Sequence, residues 1–96
     1  MVFPEHIIYR LHAVRRMFQR NISDQDVQNV LQAGKIIASY LDDTPYPSFL
    51  VLGWCKNRPI HVVVAKNEID QQSIVITVYE PSLGEWALDY TQRKNQ

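Results

Sequence analysis

The sequence has little of what marks several specialised classes of protein. Its 96 residues include one cysteine and three glycines, and ten basic residues balance ten acidic ones. The single thiol, Cys55, cannot form an internal disulfide, so a disulfide-stapled secreted domain is excluded. No apolar run approaches the ~20 residues that cross a bilayer, and no segment resembles a signal peptide. A cytoplasmic protein is therefore expected, and its balanced charge argues against indiscriminate nucleic-acid binding.

The composition that is present is typical of one globular domain. Hydrophobic residues make up 46% of the chain and charged residues 21%, which is too apolar for a disordered chain. The absence of repeats and linkers predicts a single domain over residues 1–96. A chain of this length buries roughly 60–65% of its unfolded surface. We therefore expect a functional site on one face or in a shallow cleft.

The first third of the chain predicts two helices. Apolar residues recur with helical spacing between Pro4 and Arg20, so this helix should bury one stripe of side chains, namely Ile7, Leu11, Val14 and Phe18. Asn21 would end the helix in the left-handed conformation. Ser23 and Asp26 then match a capping box at the start of a second helix, which Gly34 would end.

The remaining sequence predicts strands. Four segments carry residues that suit a pleated surface, namely Lys35–Leu41, Ser48–Trp54, Pro59–Lys66 and Ser73–Tyr79. Their short connections favour antiparallel neighbours, with a hairpin turn over residues 55–58. The predicted fold class is α+β, with two N-terminal helices packed on a four-stranded antiparallel sheet and a short C-terminal helix over Ser82–Tyr90.

The charges are distributed unevenly although they sum to zero. Residues 1–20 contain four arginines and one glutamate, whereas residues 21–43 contain four aspartates and one lysine. On the predicted first helix, the face opposite the apolar stripe carries Tyr9, His12, Arg16 and Arg20. Arginine can clamp a phosphate through two hydrogen bonds, and histidine exchanges protons near neutral pH. The face therefore suits a phosphodiester, although the polar side of an amphipathic helix is more often only solvated.

His61 and Tyr79 extend this candidate site into the sheet. His61 opens the third predicted strand and Tyr79 ends the fourth, so the two would lie close together if these strands pair. His61 could equally be an ordinary cross-strand residue. A metal site is disfavoured, because His6, His12, His61 and Cys55 lack the spacing of metal ligands.

Several blocks of the sequence, in order, resemble a family of small bacterial domains of unknown function. The blocks span about His12 to Trp86 and include His12-Ala13-x-x-Arg16-Met17-x-x-Arg20, Gly34, Pro45-x-Pro47-Ser48, Arg58-Pro59-x-His61 and Thr77-Val78-Tyr79-Glu80-Pro81. This family is similar to the toxins of bacterial toxin–antitoxin pairs, including RelE-like and MqsR-like ribonucleases. The resemblance implies a RelE-like two-layer sandwich and a cognate antitoxin with a zinc-finger and helix-turn-helix plan. It supplies no catalytic residues, because the catalytic sets of RelE-like toxins do not align with this chain.

The local chemistry supports one functional hypothesis, a metal-independent endoribonuclease of the mRNA interferase type. In such an enzyme the ribose 2′-OH attacks phosphorus, so no cofactor is needed. His12 and His61 would form the acid/base pair, Arg16 would contact the phosphate with help from Arg20, and Tyr79 would orient or donate.

Two alternatives remain open at this stage. One is a non-catalytic module that docks a protein partner, such as an acidic segment, through the arginine face or a strand edge. The other binds RNA without cleaving it, with an affinity that falls as salt rises. The target RNA and the oligomeric state do not follow from the sequence.

Overall fold

The computed structural model describes residues 3–94, which contain two helices and five strands. Along the chain they follow as β1 (His6–Tyr9), α1 (Leu11–Arg20), α2 (Asp24–Ala33), β2 (Lys35–Tyr40), β3 (Ser48–Cys55), β4 (Arg58–Asn67) and β5 (Gln72–Tyr79). The strands form a mixed sheet in the order β1-β5-β4-β3-β2. β1 runs parallel to β5, and the other neighbouring pairs are antiparallel.

The observed sheet corrects the predicted fold class. The α+β character and the two helices near the N-terminus are present, but the sheet has five strands and one parallel pair rather than four antiparallel strands. The additional strand, His6–Tyr9, lies where the sequence pattern predicts the start of the first helix. Its partner, Gln72–Val75, lies more than sixty residues further along the chain, so no local pattern indicates the pairing. The predicted C-terminal helix is also wrong, because residues 82–90 form turns.

The predicted apolar stripe of the first helix is wrong as well. α1 begins only at Leu11, after Arg10 in an extended conformation, so Ile7 is a strand residue. The helix packs on β5 through Ala13, which is completely buried, and through the half-buried Met17. The three helical members of the stripe face outward. The predicted stripe starts at Ile7, which lies outside the helix, and the small Ala13 allows the closer approach to the sheet.

The second helix has the predicted features. The Ser23 hydroxyl accepts from the backbone N–H of Asp26, and the Asp26 carboxylate accepts from the backbone N–H of Ser23, both at 3.0 Å. This completes the capping box. The helix buries its apolar side against β3, and the contact is so close that a Cβ on Gly53 would lie 2.6 Å from a methyl group of Val30. Glycine is therefore required at this point of the strand.

The two faces of the sheet are covered by different parts of the chain. The helices cover one face, where the core contains Val27, Val30, Phe49, Val51, Ile60, Val62, Val64, Val75 and Val78. His61 lies between Ile60 and Val62 on β4 and therefore points to the opposite face. There it packs against Trp86, which belongs to a C-terminal loop (residues 82–94) closed by the bridge between Trp86 and Arg93. Neither helix within residues 3–94 has the length and apolarity that a membrane span requires.

Candidate functional site

A surface cavity of about 260 Å³ lies where α1, the end of β5 and the C-terminal loop meet. Each of these three elements supplies part of its wall. The lining residues are Arg16 and Arg20 of α1, Thr77 and Tyr79 of β5, and Glu80, Glu85, Trp86 and Arg93 beyond the strand. The cavity therefore brings together residues from both ends of the chain.

The short strand β1 explains why α1 reaches this cavity. β1 pairs with β5 only as far as Tyr9 opposite Val75, and the N–H of Arg10 donates to the carbonyl of Val75 at 3.0 Å. The chain then turns into α1, which packs along β5. Arg16 and Arg20 follow the buried Ala13 at helical spacing and reach the cavity beside the last residues of β5.

The cavity wall is rich in cationic groups. Arg16, Arg20 and Arg93 contribute three guanidinium groups, whereas Glu80 and Glu85 contribute two carboxylates. Glu80 is already engaged, because its Oε1 lies 2.7 Å from Nε of Arg58. The guanidinium of Arg93 also lies over the ring of Trp86, at 4.9 Å from the ring centroid. An anion with several oxygen atoms is the ligand that such a set of donors favours.

Arg58 also fixes the position of α1 relative to β5. Besides its contact with Glu80, its guanidinium donates to the carbonyl oxygens of Arg20 and Asn21 at the C-terminal end of α1. Those carbonyls have no partners within the helix, so a cation there is favourable. Arg58 thus connects Arg20, the last residue of α1, to Glu80, which directly follows Tyr79 at the end of β5.

Tyr79 is joined to His61 by a hydrogen bond. The two residues are direct partners across β4 and β5, and Nδ1 of His61 lies 3.1 Å from the Tyr79 hydroxyl. Nε2 lies 2.9 Å from the carbonyl oxygen of Tyr90. A carbonyl oxygen only accepts, so we assign the imidazole hydrogen to Nε2, and Nδ1 then accepts the hydrogen of Tyr79. In this arrangement the phenol oxygen keeps its lone pairs as acceptors, and Tyr79 is one of the residues that line the cavity.

Burial controls the protonation of both rings. His61 has no exposed surface, and its ring meets that of Trp86 edge-on with the centroids 4.4 Å apart. Burial lowers the pKa of His61, which keeps the ring neutral near pH 7. Burial raises the pKa of Tyr79, although Arg93 opposes the shift, so the phenol keeps its proton. In the resting protein, the neutral imidazole of His61 therefore accepts a hydrogen bond from the neutral phenol of Tyr79.

The structure places the predicted site residues in four different settings. Arg16, Arg20 and Tyr79 line the cavity together, and His61 lies behind Tyr79 without lining it. His12 is exposed on α1 and does not line the cavity. Tyr9 is a strand residue whose hydroxyl donates to the carboxylate of Asp24. Within residues 3–94, no group of three or more His, Cys, Asp and Glu side chains has a geometry suited to a metal ion.

The sequence did not indicate two contributors to this site. Arg93 lies near the end of the chain, in a segment without periodicity, and only the apolar residues Leu83, Trp86 and Tyr90 suggest that the segment folds back. Arg58 is the first residue of β4, directly after a hairpin turn, where a basic residue is ordinary. Its contacts with the end of α1 depend on tertiary structure alone.

The sequence matches the model of a known protein family. The model of a family described as a domain of unknown function, DUF4258, matches residues 9–80. The matched segment contains Arg16, Arg20, His61 and Tyr79, and it ends before the C-terminal loop that supplies Arg93. Comparisons with curated proteins and with solved structures give no match.

Proposed function

The chain belongs to the DUF4258 family, and we propose that this member is a metal-independent endoribonuclease of the toxin type. The observation that carries the proposal is the convergence of three arginines around Tyr79, whose hydroxyl is hydrogen-bonded to His61. The cavity would hold one phosphodiester of an RNA chain. The resemblance of the sequence to RelE-like and MqsR-like toxins points to the same class of reaction and to an antitoxin as partner.

The arginines would bind the phosphate and stabilise its transition state. Attack on phosphorus places additional negative charge on the non-bridging oxygens, and fixed guanidinium groups stabilise that charge more than the charge of the ground state. Arg16 and Arg20 approach from α1, and Arg93 approaches from the C-terminal loop. A phosphate between them would therefore be held from two sides.

Tyr79 would act as the general base, with His61 as the acceptor of its proton. As the ribose 2′-oxygen bonds to phosphorus, its proton passes to the Tyr79 oxygen, and the phenol proton passes to Nδ1 of His61. The bond from phosphorus to the 5′-oxygen breaks, and that oxygen takes a proton from water. The imidazolium then returns a proton to solvent through Tyr79. The products are a 2′,3′-cyclic phosphate and a 5′-hydroxyl.

The negative phosphate offsets the burial that opposes charge on His61. An anion in the cavity favours the imidazolium, because opposite charges at short range raise the pKa of histidine. His61 would therefore accept a proton when substrate is bound and remain neutral when the cavity is empty. His61 touches no substrate in this scheme and acts only through Tyr79.

The proposal is tested with purified protein and end-labelled RNA in EDTA. We expect cleavage that yields 2′,3′-cyclic phosphate ends, and we expect Tyr79→Phe to lower kcat by about 10²-fold or more, since the phenol oxygen is the base. Arg16→Ala should lower kcat/KM strongly. His12→Ala is the matched control on the same helix and should retain activity.

Three results would overturn parts of this scheme. Unchanged cleavage by Tyr79→Phe would remove Tyr79 as the base, and loss of activity in His12→Ala alone would move the chemistry to the exposed side of α1. RNA that binds with salt-dependent affinity but stays intact would exclude catalysis and leave an RNA-binding protein.

A further inference from the structure

The outer face of α1, formed by Leu11, Val14 and Phe18, is apolar and exposed. The three side chains are 63%, 45% and 89% exposed. Their spacing, i, i+3 and i+7, places them in one row along the helix. The row is about 10 Å long at 1.5 Å per residue.

This face is not needed for the packing of α1 within the chain. The opposite side of the helix already packs on the sheet through Ala13 and Met17. Single exposed hydrophobic residues are common on protein surfaces, as Ile69 and Leu88 show here, but three aligned on one helix face form a patch. Such a patch exposes apolar area to water, and exposed apolar patches are typical of surfaces that bind a protein or a membrane.

The charged residues of α1, and Arg10 before it, are all basic. Arg15 follows Val14 along the helix and borders the apolar row on one side, and Arg10 precedes Leu11 at the start of the helix. α1 contains no aspartate or glutamate. Neither Arg10 nor Arg15 forms an ion pair with any residue in the described part of the chain. Arg16 and Arg20, by contrast, point to the cavity.

We propose that the outer face of α1 docks an acidic amphipathic helix of a partner protein. A row at i, i+3 and i+7 matches the apolar row of a second helix packed against it. Carboxylates beside the partner's apolar row would form ion pairs with Arg10 and Arg15. The surface would therefore select an acidic partner over a basic one. A second copy of this chain fits less well, because two outer faces packed together bring arginines near arginines.

The surface is separate from the proposed ribonuclease site. The apolar row and the two cavity arginines lie on different sides of the same helix, so a partner could bind while the cavity stays open. The docking proposal therefore stands or falls without any measurement of RNA cleavage.

The test uses a synthetic 15-residue helical peptide with leucines on one side and glutamates on the other. A second peptide has lysine at each glutamate position. Titration calorimetry with the full chain should show binding of the acidic peptide and at least about tenfold weaker binding of the lysine peptide. Phe18→Ala should weaken binding of the acidic peptide by about tenfold or more, since the most exposed member of the row is lost. Arg15→Glu should weaken it by a smaller factor, and Ile69→Ala is the control and should leave it unchanged.

Several outcomes would overturn the proposal. These are absence of binding by the acidic peptide, equal binding of both peptides, or equal binding by the wild type and Phe18→Ala. A dimer of the wild type that Phe18→Ala converts to a monomer would assign the face to a second copy. Binding to vesicles of phosphatidylserine and phosphatidylcholine that Phe18→Ala abolishes would assign it to a lipid surface. The variants remain interpretable because the substituted side chains are exposed, and circular dichroism with thermal unfolding verifies their folding.

Discussion

The two helices have the same length but different relations to the rest of the molecule. Each has ten residues. α2 begins with a complete capping box and buries Val27, Val30 and Leu31 against the sheet. α1 begins at Arg10 without a side-chain cap, has Ala13 as its one fully buried residue and exposes its large apolar side chains. α2 thus completes the core, whereas α1 presents one side to the cavity and another to solvent.

The same substitution in the two helices should give the sharpest contrast. Val30 is 1% exposed and Val14 is 45% exposed. Val30→Ala leaves a cavity beside Gly53 and should lower the free energy of unfolding by about 2 kcal/mol. Val14→Ala should change it by less than about 0.5 kcal/mol. Urea denaturation measures both values, and equal losses would mean that α1 is as deeply packed as α2.

The helix starts provide a second, smaller contrast. Ser23→Ala removes the side-chain acceptor of the capping box and should lower the free energy of unfolding by about 1 kcal/mol. Arg10 occupies the equivalent position before α1 without a capping bond, so Arg10→Ala should have almost no effect. Chemical denaturation of the two variants tests the comparison. A loss in Arg10→Ala as large as that in Ser23→Ala would show that the Arg10 side chain supports α1 in another way.

The smallest expected effect is the contribution of Asp26, in α2, to the pH dependence of stability. The backbone N–H of Ser23 is the main group that lowers the pKa of Asp26. Since the folded-state pKa is below that of the unfolded chain, this contribution is complete above about pH 4 and disappears as the pH falls through the folded-state value. The urea midpoint of Asp26→Asn should therefore differ less between pH 6 and pH 3 than the midpoint of the wild type does. An unchanged difference would assign the acid sensitivity to other carboxyl groups.

Local patterns predicted the elements that local interactions determine. The capping box of α2, the left-handed Asn21 and the turn through Lys56 and Asn57, both at positive φ, all agree with the sequence. Strands β2, β3, β4 and β5 also lie close to their predicted bounds, although the sheet they form is mixed. In these segments, the type of each residue indicates its backbone conformation or the face of the sheet to which its side chain points.

Long-range contacts account for what the sequence did not predict. β1 has only four residues and is stabilised by parallel pairing with β5. Because these residues form a strand, α1 begins later than the sequence pattern predicts. In the site, Arg16, Arg20 and Tyr79 were named from their chemistry. The role of His61 as a buried partner of Tyr79 depends on the loop that supplies Trp86. Arg93 joins the cavity only because this loop folds back, which no periodicity indicates.

The contacts of Arg58 connect the backbone at Arg20 to the end of β5 through one side chain. Arg58 holds the carbonyl of Arg20 on one side and the carboxylate of Glu80, next to Tyr79, on the other. These contacts hold the end of α1 close to the end of β5 before any ligand binds. Binding of a ligand would then require ordering of the arginine side chains but no movement of the backbone segments that carry them, which lowers the entropic cost of binding. Preorganisation of this cavity thus originates in a residue that lies outside it.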